Sequence, residues 1–357
     1  MAIATVSITL LVMLLSSHSE VVKPVLATLP VFEAGSISTK AISVKESKST
    51  SPKPLFIISP TIGGKYPVFL FFHGTCTTNS VYRSLLEHIA SHGYIVVAPQ
   101  LYNCPVVIPT ISGNEELNYA ANVANWLLLG LKTVLPENVE GNLDQLAVSG
   151  HSRGGKTAFA LALGYAKIPL EVTISVLVGV DPVAGLSKEC RCDPKILKFF
   201  PHSFDLSIPV TVIGSGLGDQ KFLLFPPCAP SDLNHMEFYL ESKPPIGYFV
   251  ATDYGHMDIL DDYEPRINIC KGNRSRDPLR RTVGGIIVAF LNGYFRYETK
   301  DYLTIANNAS VAPVNLSPAR FINETQESLL NLGNFYSLKF DPTCPFDWIP
   351  DCHASSM

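Results

Sequence analysis

The sequence has no surplus of positive charge: 27 Lys and Arg stand against 31 Asp and Glu in 357 residues, a formal charge of −4. Without a basic excess there is nothing to follow a phosphate backbone, which argues against nucleic acid as a partner. Charge of either sign is scarce. Asp, Glu, Lys and Arg make up 16% of the chain, where soluble domains devote about a quarter, while apolar residues reach 46%. That balance excludes disorder of the whole chain and suits a large buried core, or an apolar surface that meets lipid or a greasy ligand. No internal repeat of roughly 20 to 50 residues is visible, so solenoids and propellers are excluded as well.

Long apolar runs are also missing. The N-terminal run AIATVSITLLVMLL, at residues 2 to 15, has signal-peptide length and is short for a bilayer span. The missing Lys or Arg before it reduces the positive n-region to the α-amino group, which counts against secretion, but the run is too poor in Arg and Ser for a plastid transit peptide. Residues 1 to 20 are therefore expected to be a signal-peptide-like targeting segment for the secretory pathway. Sequons at Asn273, Asn308, Asn315 and Asn323 fit a glycoprotein, and eight cysteines permit up to four disulfides in an oxidising lumen. Cys190 and Cys192 have the spacing of a metal-ligand pair. With no second Cys or His cluster, thiols or disulfides are the expectation there rather than zinc.

What the chain does have begins at Pro54. Residues 21 to 53 read as a lead-in segment without periodicity; then short apolar runs appear at 55–58, 67–72, 94–98, 146–149, 172–180, 209–214 and 247–251. They are continuous rather than alternating, as strands covered on both faces should be. Helical patterns lie between them. The clearest opens with Ser112 and Glu115 in capping-box spacing, another starts just after residue 152, and a third covers 281 to 296. Alternating strand and helix predict an α/β fold with a mostly parallel central sheet covered by helices on both faces, one domain over 54 to 300. Residues 301 to 357 read as a C-terminal tail that Cys344 and Cys352 could staple down.

The stretch LAVSGHSRGGKTAFALALG carries the chemistry. It sets G-x-S-x-G between a strand and a helix, the context in which a serine is lifted above a strand end on a sharp turn. Gly150 and Gly154 supply the clearance that turn needs, and the Ser152 hydroxyl meets the N-terminus of the following helix, where developing negative charge is favoured. In PVFLFFHGTCT a strand ends at a loop of small residues, and the backbone N–H groups of Thr75 and Arg153 are assigned to an oxyanion hole. Side-chain identity matters little for that role. His73 precedes the nucleophile and reads as a structural residue under the loop, because this fold orders its residues Ser, acid, His. Asp181, at the end of VTISVLVGVDP, and Asp219, in GSGLGD, both meet that order as the acid. His256 in YGHMD, just past the last strand, fits best as the base; His202, His235 and His353 read as solvent-exposed.

At GHSRGGK, GVDPVAG and YGHMD the sequence resembles plant chlorophyllase, an α/β-hydrolase that cleaves the phytyl ester of chlorophyll. FFHGTC, ASHGYIVVAPQL, NWLL, IPVTVIGSGLG and RRTVGGIIVAFLNGYFR extend the likeness over residues 54 to 305. The resemblance implies a nucleophile at Ser152, an acid at Asp181 with Asp219 as fallback, and a histidine at His256. It implies no metal or organic cofactor and a phytylated pigment as substrate, with peripheral membrane contact. It also leaves chloroplast membranes open beside the secretory route. A groove for a flat macrocycle and its tail should border the site, for which Phe199, Phe200, Phe222, Leu223, Leu224 and Phe225 are candidates. Oligomeric state is not legible in the sequence.

Overall fold

The computed structural model describes residues 28–47, 51–104, 111–221, 226–263 and 269–323. The targeting segment 1–20, residues 222–225 and the cysteines and histidine of the far tail lie outside the described residues. In chain order the described strands are β1 Thr39–Val44, β2 Leu55–Pro60, β3 Gly64–Phe72, β4 Ile95–Pro99, β5 Val139–His151, β6 Val176–Val180, β7 Val210–Ser215, β8 Ile246–Ala251 and β9 Leu316–Ile322. The helices are α1 Arg83–Ser91, α2 Gly113–Gly130, α3 Arg153–Ala162, α4 His235–Glu241, α5 Asp277–Phe295 and α6 Lys300–Asn307. All nine strands form one sheet in the order β1-β2-β4-β3-β5-β6-β7-β8-β9. The neighbours from β4 through β8 run parallel, whereas β1, β2 and β9 join antiparallel at the edges.

Why the inner strands read as unbroken apolar runs is plain in β3. Successive side chains point to opposite faces, so Val68, Leu70 and Phe72 enter one core and Phe69 and Phe71 the other. On the first face α2, α3 and α4 cover the sheet through residues such as Leu117, Phe159 and Phe238. On the second, α1, α5 and α6 do so through Leu85, Ile287 and Tyr302. The mostly parallel, doubly covered sheet is thus present as expected. Ser112 caps α2 as its spacing predicted, its side chain accepting the Glu115 N–H at 3.2 Å.

The fold reaches past both expected limits, 54 and 300. β1 pairs along its whole length with β2, and β9 pairs with β8. Before β1, the 3-10 turn Pro30–Phe32 buries Val31 and Phe32 against α5, whose Arg281 Nε donates to the Phe32 carbonyl at 3.0 Å. Edge strands explain the difference. β1 and β9 are largely solvent-facing, so they lack the two-sided apolar run that marks the inner strands, and Pro318 in β9 is tolerated only at an edge.

Candidate active site

The bend after β5 positions the central side chain. Ser152 has φ +57° and ψ −127°, a backbone conformation that costs about 1–3 kcal/mol for a residue with a side chain. Its surroundings hold it there: Ser152 N–H donates to Val180 O at 3.1 Å, and its carbonyl accepts from Lys156 and Val183 at 3.1 Å each. The bend exists only because nothing projects into it. A Cβ on Gly150 would sit 2.3 Å from the Gly154 carbonyl oxygen, and one on Gly154 would sit 2.4 Å from the carbonyl oxygens of Phe72 and His73.

Three side chains from three separate loops meet at this point. The Ser152 hydroxyl donates to His256 Nε2 at 2.8 Å, and His256 Nδ1–H donates to Asp181 Oδ2 at 2.7 Å. Asp181 follows β6 in a left-handed conformation, φ +43°, and its carboxylate also accepts the N–H of Ser215 at 3.2 Å and the Ser215 hydroxyl. All three side chains are buried. Burial alone would raise the Asp181 pKa, but the hydrogen bond from His256, the attraction of the His256 and His235 imidazoles and the Ser215 hydroxyl outweigh it and hold the carboxyl at about 2. A carboxylate, an imidazole and a hydroxyl in line can act together as an activated nucleophile with an oriented base. Asp219, the other acid weighed from sequence, is exposed and makes no hydrogen bond to His256.

Backbone donors border the hydroxyl on two sides. α3 begins at Arg153, which puts that N–H in the first turn of the helix, where donors point outward. On the other side the Thr77 N–H donates to Gly74 O at 3.2 Å, closing a turn with Thr75 and Cys76 at its corner and Cys76 at φ +54°. The Gly74 N–H is taken by the Tyr82 hydroxyl at 2.9 Å, which makes Thr75 the next donor along the chain. Below the turn, His73 Nδ1–H donates to Gly74 O at 2.8 Å and Nε2 accepts the Leu101 N–H at 3.1 Å. That fits a neutral structural imidazole, its pKa lowered chiefly by burial.

A cavity of about 240 Å³ opens over Ser152 and His256. Gly74, Thr75, Cys76 and Thr77 form one wall, and Leu186, Cys228, Met257 and Ile269 the apolar remainder. Neither described phenylalanine of those expected to border a groove lines this cavity. Phe199 packs against the core on the α2–α4 side of the sheet with Lys188 and Arg191 over its ring, Phe200 is exposed, and residues 222 to 225 lie outside the described residues. Disulfides Cys76–Cys104 and Cys228–Cys270 each place one sulfur in this wall, and Cys190 is disulfide-bonded as well.

Two residues have roles that the sequence reading missed. The Arg153 side chain turns inward: Nε donates to Glu116 Oε2 at 2.5 Å, Nη2 to Ile111 O at 3.1 Å, and Thr157 Oγ1 adds a bond to Glu116 Oε1 at 2.8 Å. Both charges are buried. Side-chain identity therefore matters at 153, because removing one partner of such a pair strands the other in the core. A Glu on the apolar face of α2, in line with Ala120, Val123 and Leu127, was the available signal. His235, expected to face solvent, is buried with its Nε2 3.9 Å from Asp181 Oδ1.

The geometry can be set beside known proteins. The sequence profile of the family described as Chlorophyllase matches residues 27–323. The chain is 49% identical over 309 residues to Chlorophyllase-1, chloroplastic, of Citrus unshiu, covering 83% of this chain and 90% of that one. It is 48% identical over 299 residues to Chlorophyllase type 0 of Chenopodium album, covering 80% and 84%, and 47% identical over 308 residues to Chlorophyllase-1 of Arabidopsis thaliana, covering 83% and 94%. The match starts before the buried turn at Pro30 and ends just after β9, so it spans the sheet from edge to edge. This chain belongs to the chlorophyllase family.

Proposed function

We propose that the chain is a carboxylic ester hydrolase that splits the phytyl ester of chlorophyll into chlorophyllide and phytol. One observation carries the chemistry: the unbroken line from Asp181 through His256 to the Ser152 hydroxyl. The relatives' names supply the substrate class. Ser152 Oγ attacks the ester carbonyl carbon while His256 Nε2 takes its proton. The N–H groups of Thr75 and Arg153 hold the charge that develops on the carbonyl oxygen. Collapse breaks the bond to phytol, which leaves with the proton from His256. Water, deprotonated by the same imidazole, then releases chlorophyllide from the acyl-enzyme, and Asp181 keeps the proton of the resting imidazole on Nδ1.

The test is turnover of chlorophyll by the purified chain, with chlorophyllide and phytol separated by chromatography. Ser152→Ala should abolish it and should also abolish labelling by a fluorophosphonate probe. Turnover that survives in Ser152→Ala removes the mechanism. Faster turnover of short p-nitrophenyl esters, with none of chlorophyll, reassigns the substrate to a general carboxylesterase.

The same reading takes the chain through an oxidising lumen as a glycoprotein that touches membranes peripherally to reach its pigment. Disulfides at Cys76–Cys104 and Cys228–Cys270 support that, as do the exposed sequon residues Asn273, Asn308 and Asn315, of which Asn308 Oδ1 accepts the Ser310 hydroxyl at 2.7 Å and Asn315 Nδ2 donates to Asp253 at 3.0 Å. The Citrus relatives' names point to the chloroplast. Among the described residues, no helix is long and apolar enough to cross a membrane. A fluorescent fusion followed with and without residues 1–20 decides between the two. Plastid signal that survives the deletion overturns the secretory route.

A further inference from the structure

His151, the residue before Ser152, takes no part in the steps above, yet it is held on both sides of its ring. Its side chain is buried, and its Nε2 lies 3.0 Å from the backbone carbonyl oxygen of His256. A carbonyl can only accept, so the ring proton sits on Nε2 and Nδ1 is an acceptor. Nδ1 then takes the Tyr82 hydroxyl proton at 2.9 Å, and the Tyr82 oxygen accepts the Gly74 N–H at 2.9 Å. Every direction is fixed. One chain of hydrogen bonds runs from the turn that carries Thr75, through Tyr82 and His151, to the loop that carries His256.

Distances elsewhere say that this connection is tight. A Cβ on Gly74 would sit 3.0 Å from His151 Nδ1 and 3.2 Å from Ser152 Cβ, so turn, ring and nucleophile are in contact. The imidazoles of His151 and His256 have centroids 4.5 Å apart. Protonating His151 would aim a second donor at a hydroxyl already committed to Nδ1, and burial with the neighbouring His256 lowers its pKa to about 3. The ring is therefore a neutral strut.

We propose that His151 is a positioning residue that holds the His256 imidazole and the Thr75 oxyanion donor in one register, so that base and hole are aligned together. This rests on the hydrolytic reading of the site. A misplacement of about 1 Å in either element is worth on the order of a hundredfold in rate, which is the effect such a strut would prevent.

The test uses Tyr82→Phe, His151→Gln and the double variant in the full chain, with folding checked by circular dichroism and thermal midpoint. Tyr82→Phe keeps the ring and removes only the central hydroxyl, which guards against a His151 variant that fails to fold. Each single variant should lower kcat by about 10- to 100-fold with KM within about twofold. The double should fall no more than about twofold below the worse single, because either break cuts the same chain. A purely structural part for His151 would show instead as a lower thermal midpoint or folded fraction, with kcat per folded molecule unchanged. Losses that multiply in the double or wild-type kcat would each overturn the coupling. If the parent turns over chlorophyll and Ser152→Ala does not, such a result removes only this proposal. If the parent does not turn it over, the same variants are compared by their rate of fluorophosphonate labelling at Ser152.

Discussion

His235 Nε2 lies 3.9 Å from Asp181 Oδ1, the carboxylate oxygen that His256 leaves unused. The other side of that ring meets the Tyr248 hydroxyl at 2.9 Å, and burial lowers the imidazole's pKa. Asp181 thus has an imidazole at each oxygen and two donors from Ser215, which is how a fully buried carboxyl stays ionised.

It follows that the acid can be assigned by one pair of variants. Asp181→Asn should cut kcat by about 10³- to 10⁴-fold, because an amide there no longer favours the proton on His256 Nδ1. Asp219→Asn, at an exposed residue without a bond to His256, should leave kcat within about twofold. Steady-state turnover of a phytylated pigment reads both. The reverse result would move the acid to Asp219.

The sequence disclosed what physics makes local or periodic. FLFF in β3 can only be a strand buried on both faces, and glycines on either side of Ser152 can only mean a bend that no side chain may enter. His256 was legible because its place after the last parallel strand is set by chain order. Arg153 and His235 were not. Each is polar in a polar neighbourhood, and the partner that draws it inward, Glu116 for one and Asp181 for the other, lies 37 or 54 residues away, beyond any local pattern. Edge strands β1 and β9 escaped for the opposite reason, since exposure removes the apolar signature.

Asp258, two residues beyond His256, should prove essential to stability rather than to chemistry. Its buried carboxylate accepts the N–H of Gly255 at 2.8 Å and of Gly272 at 2.7 Å, and pairs with Arg276 at 3.1 Å. Asp258→Ala leaves two amides and Arg276 Nε without this acceptor, Arg276 keeping only Asp262 at 3.4 Å, a loss of about 3 kcal/mol. Urea denaturation measures it. A loss below about 1 kcal/mol would mean that water replaces the carboxylate and that the His256 loop is held by other bonds.

His88 gives the stability of the fold a pH dependence with a definite sign. Its Nε2–H donates to Val31 O at 2.8 Å, tying α1 to the buried turn at Pro30, and burial lowers its pKa to about 4. The folded imidazole stays neutral while the unfolded one takes a proton below its ordinary value of about 6.5. The stability it contributes is therefore complete above that value and is lost as the pH falls toward 4. Between pH 7 and pH 5 the loss from this one group is at most about 2 kcal/mol, discounted for its residual solvent contact. His88→Gln should shrink the pH 7 to pH 5 loss by that amount in paired urea titrations. Equal losses in both proteins would show that the imidazole charges without unfolding the turn.

Gly154 and Gly164 offer a matched comparison of what a single methyl group costs. At Gly154 the new carbon would meet two backbone carbonyl oxygens at the end of β3, and backbone cannot rotate aside as a side chain does. At Gly164 φ is +77° but nothing lies within 4 Å, so only the conformational cost of a left-handed alanine remains, about 1 kcal/mol. Gly154→Ala should lose about 3 kcal/mol of stability, the upper end of overpacking costs, together with all measurable turnover. Gly164→Ala should keep full kcat. The decisive quantity is the ratio of turnover to folded fraction in the first variant. Were Gly154→Ala to fold and hydrolyse its ester at the parent rate, the bend would be able to open without losing the hydroxyl, and its confinement could not be what aims Ser152 at His256.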